Sequence, residues 1–87
     1  MPYIKGQDRK KFDDILTVLE AKLPEIKTEG ELNYLITKIC HIYLKLKGER
    51  YSTYNAILGA LEGVKLELYR RRVSNYEDDK IAQNGDV

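Results

Sequence analysis

The sequence predicts an all-α protein, a small three-helix bundle with a short C-terminal helix or tail. Three segments repeat apolar residues at intervals of three and four, the spacing that puts side chains on one face of a helix. Residues that start and stop helices separate these segments, and no strand pattern flanks the Asn84-Gly85 turn dipeptide. A length of 87 residues fits one domain, so we expect a single helical domain over residues 1–87.

The first predicted helix covers about residues 8–23. Acidic side chains lie in its early turns, where the helix dipole favours negative charge. Pro24 disfavours helical geometry at Leu23, so we expect the helix to end there. Its apolar positions are Phe12, Ile15, Leu16, Leu19 and Leu23.

The second predicted helix, residues 29–47, has start and stop residues at both ends. Thr28 and Glu31 have the spacing of a capping box, in which the Thr28 hydroxyl accepts from the Glu31 amide and the Glu31 carboxylate reaches back to the Thr28 amide. Gly48 is placed to cap the C-terminus. The positions expected on the buried side are Leu32, Leu35, Ile36, Ile39, Ile42, Tyr43 and Leu46.

The third predicted helix covers residues 53–72, with Ser52 as its N-cap. Its apolar positions are Tyr54, Ile57, Leu58, Leu61, Val64 and Leu68. We expect Tyr43 and Tyr54 to lie in the core. After this helix, Asn75 is expected to cap a short helix over residues 76–82, with acidic residues in its first turn.

A ridge of small residues runs along the third predicted helix and consists of Ala56, Gly59, Ala60 and Gly63. Glycine inside a helix costs about 1 kcal/mol relative to alanine, and two glycines indicate that another backbone approaches closely. The first helix, the second helix and a second copy of the chain are all candidates for that neighbour. A core of this size rarely supplies more than about 3–5 kcal/mol, so we expect a homo-oligomer.

Composition excludes several classes of protein. The 15 basic and 14 acidic residues give a net charge of +1, which does not favour nucleic-acid binding by charge alone. No apolar run is long enough for a membrane span or a signal peptide, and the single Cys40 fits a reducing compartment. We therefore expect a cytoplasmic protein that does not bind membranes.

Catalytic and metal-binding residues are scarce in this sequence. His41 is the only histidine, and its neighbour Cys40 lies about 100° around the helix, so the two cannot pair within it. A Cys/His metal site needs three or four ligands, and the acidic residues that adjoin one another point to different faces. We expect no enzymatic activity, no metal and no cofactor.

Tyrosine stands out, with seven residues against one Phe and no Trp. The second predicted helix has a stripe of Tyr34, Lys38, His41 and Lys45; the third has a stripe of Lys65, Tyr69 and Arg72, joined by Arg70 and Arg71. Aromatic faces stack on bases and guanidinium groups bind phosphate, so these stripes indicate a nucleotide site. In the alternative interpretation the three arginines pair with Glu77, Asp78 and Asp79, within the chain or across a dimer. Tyr34 and Tyr69 then cover the edge of the core.

Five blocks spread over the chain are similar to a family of short uncharacterised helical proteins from bacteria and their tailed phages. The blocks are Pro2-Tyr3-Ile4-Lys5, Gly30-Glu31-Leu32-Asn33-Tyr34, Leu66-Glu67-Leu68-Tyr69-Arg70-Arg71, Tyr76-Glu77-Asp78 with Lys80-Ile81, and Asn84-Gly85-Asp86-Val87. This resemblance brings no known activity or site residue. It implies a bacterial or phage setting, with the cytoplasm of the bacterial host as the location if a phage encodes the protein. In that setting some small helical proteins act as sponges for the cyclic nucleotide signals of host immunity.

The sequence thus leads to a non-catalytic protein that binds a small anionic ligand, most simply a cyclic or linear nucleotide, at an inter-helix or inter-subunit pocket. The expected ligand-binding residues are Arg70, Arg71, Arg72, Lys65, Tyr69, Tyr34, Asn33, Lys38 and His41. Asn33 takes part if its amide points inward and reads a base edge. The alternative function is a helical adaptor or structural module, which binds a protein partner through the small-residue ridge and the acidic segment 76–79.

Overall fold

The computed structural model describes residues 2–87, and it confirms that this part of the chain is all-helical. Two short non-helical connectors, residues 26–28 and 48–50, separate three helical segments. The chain divides into two compact units: an N-terminal unit, Tyr3–Tyr54, and a C-terminal unit, Asn55–Val87 together with Pro2.

The first helical segment consists of several short pieces. Helix α1 (Gly6–Arg9) leads into a 3₁₀ turn, Lys10–Phe12, which is followed by α2 (Asp13–Lys22) and a second 3₁₀ turn, Leu23–Glu25. The prediction of one continuous helix over residues 8–23 is therefore wrong. The Asp13 amide donates to the Lys10 oxygen, three residues earlier, which is the bond of a 3₁₀ turn and not of an α-helix. Pro24 lies inside the second turn, where it needs no amide donor.

Helix α3 (Glu29–Lys47) has the bounds that the sequence predicts. Thr28 is extended, and its Oγ1 accepts from the Glu31 amide at 3.2 Å. The Glu31 carboxylate accepts from the Lys27 amide at 2.8 Å, one residue earlier than the predicted capping box. Gly48 ends the helix with φ of 95°, and its amide donates to the Leu44 oxygen at 2.8 Å.

Helix α4 (Tyr51–Leu68) begins two residues before the predicted start at 53. The amides of Thr53 and Tyr54 both donate to the Arg50 oxygen, at 3.0 and 3.1 Å. Ser52 consequently lies within the first turn instead of capping it.

The sequence predicted that the third helix ends at residue 72, but in the structure the helix continues past this point. A five-residue π-helical turn, Tyr69–Val73, connects α4 directly to α5 (Ser74–Asn84), and the Ser74 amide donates to the oxygen of Tyr69, five residues earlier. Asn75 caps nothing, because its Nδ2 donates back to the Arg71 oxygen at 3.0 Å. Gly85, with φ of 89°, ends α5.

No large apolar side chain among residues 2–87 is buried, and Thr53 is the one buried residue in that range. Tyr43 and Tyr54 were predicted to be core residues, but they are 43% and 44% exposed. The ridge is open as well, since a Cβ atom added at Gly59 or Gly63 would meet nothing within 4 Å in the described part of the chain. The backbone approach predicted at the ridge is therefore not supplied within the C-terminal unit.

Candidate functional site

The nine residues predicted to bind a ligand are divided between the units. Four of them, Asn33, Tyr34, Lys38 and His41, lie on α3 in the N-terminal unit. Asn33 is exposed, and its Oδ1 accepts from the Thr37 hydroxyl at 3.1 Å, so its amide does not point inward as the base-reading hypothesis requires.

The stripe on α3 is an exposed surface. Tyr34 is 64% exposed, and the Lys38 ammonium lies 5.8 Å from the centroid of its ring, within cation–π distance. His41 is exposed too. These side chains can contact a ligand at the surface, but they do not enclose one.

An apolar groove beside Tyr34 was not predicted. Its volume is about 660 Å³, and it lies where the second 3₁₀ turn leads into α3. The apolar residues that line it are Val18, Leu19, Leu23, Ile26 and Leu35, with Lys22 and Glu31 among its polar neighbours. Most of these side chains belong to the apolar faces of predicted helices, and a helical pattern alone does not predict a groove between them.

The other five predicted residues lie in the C-terminal unit, where Glu67 is the acidic partner of two of them. Arg70 Nη2 lies 3.2 Å and Arg71 Nε 3.6 Å from Glu67 Oε1. Each pair is one helical turn apart, and the Glu67 side chain is 22% exposed while both arginines are mostly exposed. Glu67 appeared in the sequence only as the single acidic residue within 65–72, and its role as a shared ion-pair partner was missed.

Tyr69 and Lys65 also have acidic neighbours. The Tyr69 hydroxyl donates to Glu77 Oε1 at 2.5 Å, and Lys65 Nζ lies 3.6 Å from Glu62 Oε1. The hydrogen bond to the Glu77 carboxylate, together with its negative charge, raises the pKa of Tyr69. A ligand that stacked on Tyr69 would therefore meet a ring whose hydroxyl is already bound.

Arg71 and Arg72 line a groove of about 320 Å³ with Pro2, Val64, Glu67 and Leu68. The groove combines guanidinium groups with apolar walls, which suits a small anion that carries an apolar or aromatic part. Glu67 also lines it, so an anion there would compete with a carboxylate for Arg71. The structure thus brings Arg71 and Arg72 together at one groove.

Metal-binding and membrane-spanning elements were searched for across residues 2–87. No group of three or more His, Cys, Asp or Glu side chains in that range could hold a metal ion. None of its helices has the length and apolar character that crossing a bilayer requires.

Comparison with known proteins gives one match. No curated protein and no solved structure matches the chain. Residues 1–87 match the family described as Domain of unknown function (DUF6899). Because that match covers the whole chain, the protein belongs to this family.

Proposed function

We propose that this protein is a non-enzymatic helical module that assembles with copies of itself and binds a protein partner through its helical surface. The observation that carries the proposal is the exposure of apolar side chains in the C-terminal unit. Leu58, Val64 and Leu68 are 64%, 61% and 57% exposed on a helix that continues directly into α5. Burying such a side chain stabilises by about 1.5–3 kcal/mol, so burial of this face between copies would favour association.

The composition of α4 supports this proposal. Residues 51–61 carry no charged side chain, and the ridge adds small residues on another side of the helix. A helix that is apolar on most of its circumference is typical of a buried position between neighbours. In the assembly that we propose, such helices pack into a bundle.

The ridge and the acidic segment 76–79 are the proposed surface for the protein partner. Gly59 and Gly63 leave the ridge open to close approach by another backbone, and Tyr76 is 62% exposed. Aromatic residues are frequent anchors at protein interfaces. The ridge and the exposed Tyr76 ring are therefore available to a partner, whereas Glu77 of the acidic segment already accepts from the Tyr69 hydroxyl.

Pull-down from bacterial lysate with the full chain tests the adaptor function. We expect one stoichiometric protein, which Gly59→Leu should lose because the leucine blocks approach to the ridge. The matched control is Gly6→Leu, since a Cβ at Gly6 also meets nothing within 4 Å but lies far from the ridge in sequence. Equal recovery by both variants, or no recovered protein at all, would contradict the proposed surface.

The setting that we propose is the cytoplasm of a bacterium or of a phage-infected host. The half-buried free thiol of Cys40 suits a reducing compartment, and the resemblance to bacterial and phage proteins supports the host.

A small anionic ligand, most simply a nucleotide, is a second candidate function, and the groove beside Arg71 and Arg72 favours it. In a phage setting such a protein would sequester cyclic nucleotide signals. Thermal shift and calorimetry against cyclic and linear nucleotides test this function. We expect Arg72→Ala to remove binding and Lys10→Ala, a change to an exposed cation in the first 3₁₀ turn, to leave it intact. A flat response across the panel would exclude the candidate.

A further inference from the structure

The exposed apolar side chains of α4 include a regular row. Ile57, Leu61, Val64 and Leu68 are spaced by four, three and four residues, which is the a/d repeat of a coiled coil. We call these four residues the seam. Ile57 and Leu61 are the least exposed of them, while Val64 and Leu68 are more than half exposed.

We propose that the seam packs against the seam of a second copy of this chain, with the two helices antiparallel. This inference rests on the proposed self-assembly and specifies its face and its direction. Ile57 would contact Leu68 of the partner subunit, and Leu61 would contact Val64 of the partner subunit. Each a position then meets a d position, and a two-fold axis relates the copies, so one patch serves both sides.

The shape of the seam makes it self-complementary. Its ends are Ile57 and Leu68, and its middle residues are Leu61 and Val64, so every contact joins a branched aliphatic side chain to another of similar size. The flanking positions are Leu58, Ala60, Lys65 and Glu67. In the antiparallel pair Lys65 and Glu67 lie beside the uncharged Ala60 and Leu58 of the partner subunit, so no like charges oppose each other.

The charge pattern selects the antiparallel direction. The arginines at 70–72 follow the seam directly, at the π turn. In a parallel pair the two triplets would face each other across an interaxial distance of about 8–10 Å. In the antiparallel pair residue 71 lies beside position 54 of the partner, so the triplets are about 25 Å apart. That separation exceeds the Debye length of about 8 Å at physiological salt.

Light scattering on the full chain tests the face with Leu68→Lys and its matched control Leu66→Lys. The two leucines are 57% and 59% exposed, but only Leu68 belongs to the seam. We expect Leu68→Lys to weaken the dimer at least about a hundred-fold, because each dimer loses two apolar contacts and gains two charges, and Leu66→Lys to leave it intact. Equal effects of the two variants would overturn the choice of face, whereas a wild-type monomer at all concentrations would overturn the self-assembly itself.

Disulfide cross-linking tests the direction without depending on a charged variant. In a Cys40→Ala background, mixing Ile57→Cys with Leu68→Cys should give a disulfide between the two variants on oxidation. Leu68→Cys alone should give none, because the two residues 68 lie about 16 Å apart in the antiparallel pair, beyond the reach of a disulfide. Efficient cross-linking of Leu68→Cys with itself would show a parallel pair and overturn the proposal.

Discussion

The hydroxyl of Tyr69 donates to the carboxylate of Glu77 at 2.5 Å, and the bond joins the two sides of the π turn. Eight positions separate these residues, which in a regular α-helix leaves them about 80° apart around the axis. The π turn inserts an extra residue, so Tyr69 and Glu77 take roughly the relation of residues seven apart, on one face and two turns from each other. The backbone irregularity and the side-chain bond therefore support each other.

Tyr69→Phe should loosen the helix around the π turn, because it removes the bond that connects its two sides. We expect faster amide hydrogen exchange at residues 69–77, measured by NMR. Tyr76→Phe is the matched control, since its hydroxyl has no bonding partner among residues 2–87. Unchanged exchange in Tyr69→Phe would show that the turn does not need this bond.

The same bond predicts a pH effect. Hydrogen bonding to the Glu77 carboxylate raises the pKa of Tyr69, so the bond stabilises the helix below the unfolded tyrosine pKa of about 10 and this stabilisation is lost as pH rises through the folded pKa. We expect Glu77→Gln to return the pKa of Tyr69 towards its ordinary value. Ultraviolet titration of tyrosinate measures this, with Tyr69→Phe versions of both proteins subtracted to isolate one residue. Identical Tyr69 titrations with Glu and Gln at position 77 would contradict the assignment.

Two Gly→Ala substitutions should change stability in opposite directions. Gly59→Ala should stabilise the chain by about 1 kcal/mol and raise the Tm by several degrees, since alanine is the better helix former and its Cβ meets nothing within 4 Å. Gly48→Ala should destabilise it by about 1–3 kcal/mol, because φ of 95° at that position is unfavourable for a residue with a Cβ. Calorimetry measures both, and loss of stability in Gly59→Ala would instead show that a neighbour covers the ridge.

Glu67→Gln tests whether the arginines can bind an anion. Removing this carboxylate ends its competition with a bound anion for Arg71, so nucleotide affinity in the groove should rise, by up to about five-fold given the strength of exposed ion pairs. Glu62→Gln, which removes only the partner of Lys65, should have no such effect. Calorimetric titration with one nucleotide separates the variants, and weaker binding to Glu67→Gln would rule out the groove.

Local chemistry explains which parts of the fold could be predicted. Thr28 and Gly48 bound α3 as expected, because a hydroxyl that accepts from an amide and a glycine with positive φ act within a few residues. The prediction that Asn75 caps a helix was wrong, also because of local chemistry. Its side chain can bond forward as a cap or back to a carbonyl four residues earlier, and a helix that continues through a π turn favours the second bond.

The candidate site was less predictable, because it depends on which acid each cation reaches. Arg70 and Arg71 lie three and four positions after Glu67, a spacing visible in the sequence, but the three tail acids Glu77, Asp78 and Asp79 were equally possible partners. The predicted core has a different difficulty. Periodicity shows that a helix has an apolar face, but not whether that face is covered by the same chain or by another molecule.

The π turn also determines how α5, which follows it, is rotated about the helix axis. Winding residues 69–73 as regular α-helix without removing one would rotate the acidic segment by about 100° about the axis relative to the residues before the turn, whereas deleting one residue would keep its orientation. The π geometry of this turn therefore fixes the rotation of α5 about the helix axis relative to α4. It decides which way Glu77, Asp78 and Asp79 point relative to the apolar row upstream.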